Sequence, residues 1–226
     1  MSSKKTALAI VSLGTILFSA TAAAFALASY PAFFLQPGSR ALVCWLALIF
    51  AVYSFLAVRI TLQTDDRWRE IRTTALLFGT ITGCMEIAGI VTENYTQITS
   101  PVLPITLMLT VFTLWGIAGF RVSRRLASIR SGLFAAAIAA GVCMLIAVAA
   151  GFLIEFSLHP PAPDSVQSWA EYKRRGWTDP HAFAIANTLE SAMTHLVVAP
   201  VVALVFAGIP ISLHRLLESR TLKTAE

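Results

Sequence analysis

Charge is scarce in this chain. Only 13% of its 226 residues are Asp, Glu, Lys or Arg, while 57% are hydrophobic. Water-soluble domains carry about 25% charged residues, so a soluble globular domain is excluded. Cysteine is scarce as well. Cys44, Cys84 and Cys143 lie far apart without CxxC spacing, and they read as small apolar packing residues. The catalytic signatures HExxH and GxSxG are missing, as is a paired-glutamate protease signature. Of the four histidines only His195 lies deep in an apolar run, which removes the second facing histidine that bis-His haem ligation needs. No cofactor is predicted.

Long apolar blocks fill the space that charge leaves. Runs of about 20 apolar residues match the thickness of a bilayer core, and six fit here: residues 7–30, 41–62, 73–92, 101–120, 131–157 and 182–213. The expected fold is an all-α integral membrane protein, a single membrane domain built as a bundle of six transmembrane helices. Pro101 and Pro104 sit where a first helical turn tolerates proline. The last block is too long for one straight span and contains Pro200 and Pro210. A kink and a partly interfacial final segment are expected there. The first block has a second reading. Lys4-Lys5, an apolar core and small residues at Ala22-Ala23-Ala24 or Ala26-Leu27-Ala28 resemble a secretory signal peptide. Its uncharged run continues to Arg40, which favours an uncleaved helix.

Basic residues set the orientation. Thirteen of the 17 lie before the first block, at the second and fourth connections or at the C-terminus; Arg40, Lys173, Arg174 and Arg175 lie on the other side. The positive-inside rule puts both termini in the cytoplasm of a bacterial-type inner membrane. The same asymmetry favours contact with anionic headgroups of the lipid bilayer and gives no reason to expect nucleic acid. The long outer connection, residues 158–181, has Asp164 and Gln167 placed to cap a short interfacial helix over Ser165–Arg174, with Trp169, Tyr172 and Trp177 suited to the headgroup region. Asp179 and Pro180 form a start signal for the last helix.

Against this background a few polar residues stand out, because a charge at the centre of a spanning helix costs about 2.5–3.5 kcal/mol on insertion scales. Glu86 falls about fourteen residues into the third helix, roughly 20 Å from its inner edge at 1.5 Å per residue. Asn187, Glu190 and His195 lie in the outer half of the sixth, with Glu93 and Glu155 near the outer ends of the third and fifth. Gly79, Gly83, Glu86, Ile90 and Glu93 follow a four–three–four–three spacing and share one helical face. Asn187, Thr188, Glu190, Ser191, Thr194 and His195 occupy an arc of about 160° at 100° per residue. The expected site is a polar pocket of Glu86, Asn187, Glu190 and His195, with Glu93, Glu155, Ser191 and Thr194 as secondary members. Glu155 and His159 are four apart and form a candidate metal pair, although Pro160 disfavours helical geometry at His159. The Gly79/Gly83 pair and the small-residue face of residues 132–151 allow close helix approach, within the chain or to partner helices. The six blocks also admit a three-plus-three inverted repeat, with Glu86 and Glu190 as counterparts.

Three function classes fit: a small transporter or permease using the glutamates as proton or cation sites, an intramembrane enzyme acting on lipid-linked substrates, and a non-catalytic accessory subunit.

Overall fold

The computed structural model describes residues 3–95, 102–158 and 160–223. Among them there are helices and no strands: α1 (Ser3–Ser29), a 3₁₀ turn (Pro31–Leu35), α2 (Ser39–Leu62), α3 (Asp66–Tyr95), α4 (Val102–Arg125), α5 (Ile129–Leu153) continued by a π turn (Ile154–Leu158), the short α6 (Pro163–Ser168) and α7 (Ala170–Arg175), and α8 (Pro180–Lys223). Six of these helices are long and apolar enough to cross a membrane, which fits a multi-pass membrane protein. Pro101 and His159 lie outside the described residues.

Local signals set the ends. Gly38 takes φ 78°, a left-handed turn that glycine tolerates, just before α2. The Trp68 amide donates to Asp65 Oδ1 at 2.7 Å at the head of α3. The Ser131 amide donates to the Ser128 hydroxyl at the head of α5. Asp179 Oδ1 accepts from the amides of His181 at 3.0 Å and Ala182 at 3.1 Å, so the expected cap of α8 is present. At the far end of α2, Arg72 satisfies the carbonyls of Ile60 and Gln63 at 2.8 and 2.6 Å.

The helix α5 is the hub. Two-thirds of its span (67%) is buried, against 22–28% in the other five. Its many alanines leave little between backbones, so α3, α8, α4 and α1 all pack on it. The glycine pair of α3 is used here. A methyl on Gly79 would stand 2.7 Å from the Ala139 carbonyl, and one on Gly83 would stand 3.0 Å from Ile146. Gly119 of α4, Gly132 of α5 and Ala207 of α8 meet as tightly lower down. The Gly79/Gly83 pair and the Gly132 end of the 132–151 face are therefore packed within the chain.

The last helix is longer than its apolar block. Helical structure runs without a break from Pro180 to Lys223, past Pro200 and Pro210. Forty-four residues at about 1.5 Å each give roughly 66 Å, twice a bilayer core. A proline has no N–H, so each one strands the carbonyl four residues earlier. The first of these carbonyls has a new donor, and the second lies against a glycine. The Tyr53 hydroxyl of α2 donates to the Leu196 carbonyl at 2.6 Å. The Phe206 carbonyl faces Gly116 of α4, where a methyl would stand 2.8 Å away. The Tyr53 ring reaches α8 by crossing α5 at Gly141, 3.1 Å from where a methyl would be. At Pro200 a neighbouring helix thus re-satisfies the freed carbonyl.

The connection after α5 also differs. Instead of one helix over Ser165–Arg174 there are two short ones, and Trp169 between them is extended at φ −65°, ψ 131°. Asp164 lies in the first turn of α6 but does not cap it; Ala162 occupies the cap position without a side-chain hydrogen bond.

Candidate functional site

Helices α3 and α8 both pack on α5 and on α4, but hardly on each other. The gap between them widens toward the end of the bundle that carries Pro31–Leu35 and α6–α7, hereafter the loop end. Toward the arginine-rich end the gap stops at Phe112, whose ring packs at a tilt against Trp115 and Phe206 at centroid distances of 5.3 and 5.1 Å. The fully buried Trp115 donates its indole N–H to Thr82 at 3.2 Å.

Two adjoining cavities occupy the gap. One, about 790 Å³, is polar and lies under the loop. Glu86, Glu93, Glu155, Asn187, Ser191 and His195 line it, with Pro160, Pro161, Ser165 and Trp169 over its loop-end side. The other, about 580 Å³, is mostly apolar and extends between α4 and α8. Leu103, Leu107, Met108 and Val198 form its walls, Phe112 and Trp115 line its deep end, and Thr194 lies at its edge. Glu86, Ile90, Glu93, Met144 and His195 line both.

Seven of the eight expected residues thus meet at one gap. The exception is Glu190. Five residues separate it from His195, and at about 100° per residue they stand 140° apart around α8. That rotation carries Glu190 to the opposite side, beside Pro37, Leu42 and Trp177. There its carboxylate accepts from Arg175 at 2.6 Å. The arc read from the sequence was too wide to fall on one neighbour.

Within the gap, Glu86 interacts electrostatically with His195 across it and with Glu93 two turns along α3. No hydrogen bond to the Glu86 carboxylate is found among the described residues. His195 Nδ1 stands 2.7 Å from the Ser191 carbonyl. A carbonyl only accepts, so Nδ1 is the donor in this contact. Glu155 sits in the π turn, one helical turn beyond Gly151, a type of irregularity frequent at functional sites. Among the described residues no three His, Cys, Asp or Glu side chains are grouped to hold a metal ion. The Glu155–His159 pair falls partly outside those residues.

The loop that roofs the polar cavity is held by charge and aromatic contacts. Arg175 bridges Glu171 and Glu190 at 2.7 and 2.6 Å, and Arg174 also pairs with Glu171. Hydrogen bonds from Arg174, then from Arg175, hold the Glu171 carboxyl down at about 2. Trp169, Tyr172 and Trp177 all pack edge-on against Phe183 of α8. The Tyr30 hydroxyl donates to Asp179, which ties the end of α1 to the start of α8. Burial works to raise the Asp179 carboxyl. The Tyr30 hydroxyl and the amides of Ala182 and His181 outweigh it and hold the group below its usual range. Sequence reasoning missed this clamp and the Tyr53 bond. The stranded Leu196 carbonyl was a legible signal, but nothing in sequence separation identified Tyr53 as its donor.

No family model, curated protein or solved structure matches this chain.

Proposed function

We propose that this chain is a small transporter or permease of a bacterial-type inner membrane, with both termini cytoplasmic and the loop end facing outward. Glu86 and His195 are its proton or cation site. One observation supports the reading above the rest: an ionisable pair on two different helices lines both cavities of a gap that Phe112 and Trp115 close at its deep end. An ionisable residue inside a span is a functional-site hypothesis by default, since structure alone gives little reason to bear its desolvation. A permease with this shape must open the Phe112–Trp115–Phe206 closure to connect the gap with the arginine end. The accessory-subunit reading draws less support, because the glycine and alanine faces that motivated it serve α3–α5 and α4–α5–α8 contacts.

The test is proton flux into liposomes loaded with a pH-reporting dye and driven by a potassium diffusion potential. Wild-type protein is expected to carry flux above protein-free vesicles. Glu86→Gln and His195→Asn are each expected to lower it at least tenfold while melting at the wild-type temperature. Undiminished flux in both variants would sink the reading.

A further inference from the structure

The proposed site gains a substrate class when its two cavities are taken together. We infer that its occupant is an amphiphilic cation, which enters sideways from the membrane between α4 and α8 and places its positive head against Glu86. The inference rests on the proton or cation role given to Glu86 above.

Shape argues for sideways entry. In the arginine half, α4 and α8 are locked by Phe112 against Phe206 and by Gly119 against Ala207. In the loop half they diverge, and the apolar cavity fills the divergence. Leu103, Met108 and Val198 line that cavity yet are 47%, 44% and 48% exposed. A wall of the cavity is therefore also the outer surface of the bundle, on flanks whose neighbouring residues Ile105, Leu109, Val197 and Val201 are exposed and apolar. Such a flank meets lipid chains. An apolar body can pass from the bilayer into this groove without crossing water, with little change in its surroundings.

Charge argues for the head. The groove ends on the same Glu86, Glu93 and His195 that line the polar cavity, and the polar cavity adds Glu155. Lys and Arg are missing from the described lining of both. Glu86 and Glu93 with His195, and no Lys or Arg among the described lining residues, disfavour a phosphate or carboxylate head and favour an ammonium-like one, whose charge draws the acids into their ionised form. The volumes, about 580 and 790 Å³, fall within the roughly 300–1,000 Å³ of small-molecule sites. A molecule that spans them must be apolar at one end and positive at the other.

The experiment uses a pair of probes with one apolar chain and opposite charges. The full chain in nanodiscs of a zwitterionic lipid is titrated with radiolabelled decyltrimethylammonium, and in parallel with decyl sulfate, which shares its apolar chain and carries a compact head of opposite charge. The inference expects saturable binding of the cation only. Glu86→Gln should weaken it at least tenfold. Val198→Trp and Leu103→Trp, which narrow the groove from its two walls at exposed positions, should each weaken it severalfold with melting temperatures unchanged. Absence of saturable cation binding overturns the inference, as does equal binding of the anion or insensitivity to both groove variants. Proton flux separates this from the reading beneath it. Glu86-dependent flux without cation binding removes the substrate class and leaves the permease. Glu86-dependent cation binding with undiminished flux in Glu86→Gln upholds the binding site and removes the proton role.

Discussion

The two halves of this bundle share the same helices and are built in opposite ways. In the arginine half, glycines and alanines stand at the crossings, and the backbones of α3, α4, α5 and α8 come close enough that a methyl has no room at Gly79, Gly119 or Gly132. In the loop half the corresponding positions carry Glu86, Asn187 and His195, and α3 and α8 part. The lesson is that small residues do two jobs along α5. Where they meet other small residues they shut the bundle, and where they meet long polar side chains they floor a cavity. Gly151 shows the second case, with nothing within 4 Å of where its methyl would be.

That contrast can be broken most severely at Gly132. A valine there would press on the Gly119 carbonyl, 2.5 Å from the first added carbon, and on Ser123 at 2.7 Å. Overpacking of this kind costs about 1–3 kcal/mol and more where backbone is struck. Gly132→Val is expected to lower the melting temperature sharply or prevent folding. Gly151→Ala in the open half should do the reverse, being neutral or stabilising by up to about 1 kcal/mol because alanine restrains the unfolded chain. Equal losses at the two sites would remove the distinction between closed and open halves.

Next in size is the bond that braces α8 where the two halves join. Tyr53→Phe leaves the Leu196 carbonyl without a donor, at about 1–3 kcal/mol. Pro200→Ala restores an N–H four residues on. The double variant should therefore lose clearly less than the sum of the singles, in a thermal double-mutant cycle. Additive losses would show that the Tyr53 hydroxyl does not serve the carbonyl freed by Pro200.

The smallest effects belong to the loop. Arg175 and Glu190 side chains keep 36% and 32% of their exposure, so their coupling should be about 0.2–1 kcal/mol and should fade with salt. Hydrogen exchange of residues 163–175 in Arg175→Gln would read it as faster opening of the roof with the bundle unchanged. Glu171 adds a pH dependence whose sign is fixed. Its folded value, about 2, lies below the ordinary glutamate value of about 4.3. Its contribution is full above the ordinary value and is lost as pH falls through about 2. Protection of the roof that is unchanged from pH 5 to 2 would contradict this.

Much of this was legible beforehand. Six apolar runs separated by charged or proline-rich turns determine six long helices, since a chain this short of charge must keep its backbone bonds internal. The Asp179-Pro180 start was legible because capping is a local interaction. So was the depth of Glu86 and His195, because depth along a helix is a matter of counting. The extended Trp169 was not, since it depends on Phe183 lying beneath the loop. Nor was the uninterrupted α8, whose carbonyl freed by Pro200 is met by Tyr53 on another helix.

By itself the sequence determined which residues are helical, which are apolar and how far along each helix the ionisable groups stand. Tertiary structure alone decided which side they face. Glu190 and Asn187 are three residues apart and nearly equal in depth, yet one pairs with Arg175 beside Pro37 and Trp177 and the other opens into the cavity. Rise along a helix is set by the backbone it carries within itself. The neighbour met at a given rotation is set by how α3, α4 and α8 divide the surface of α5, and that division depends on every side chain at the crossings.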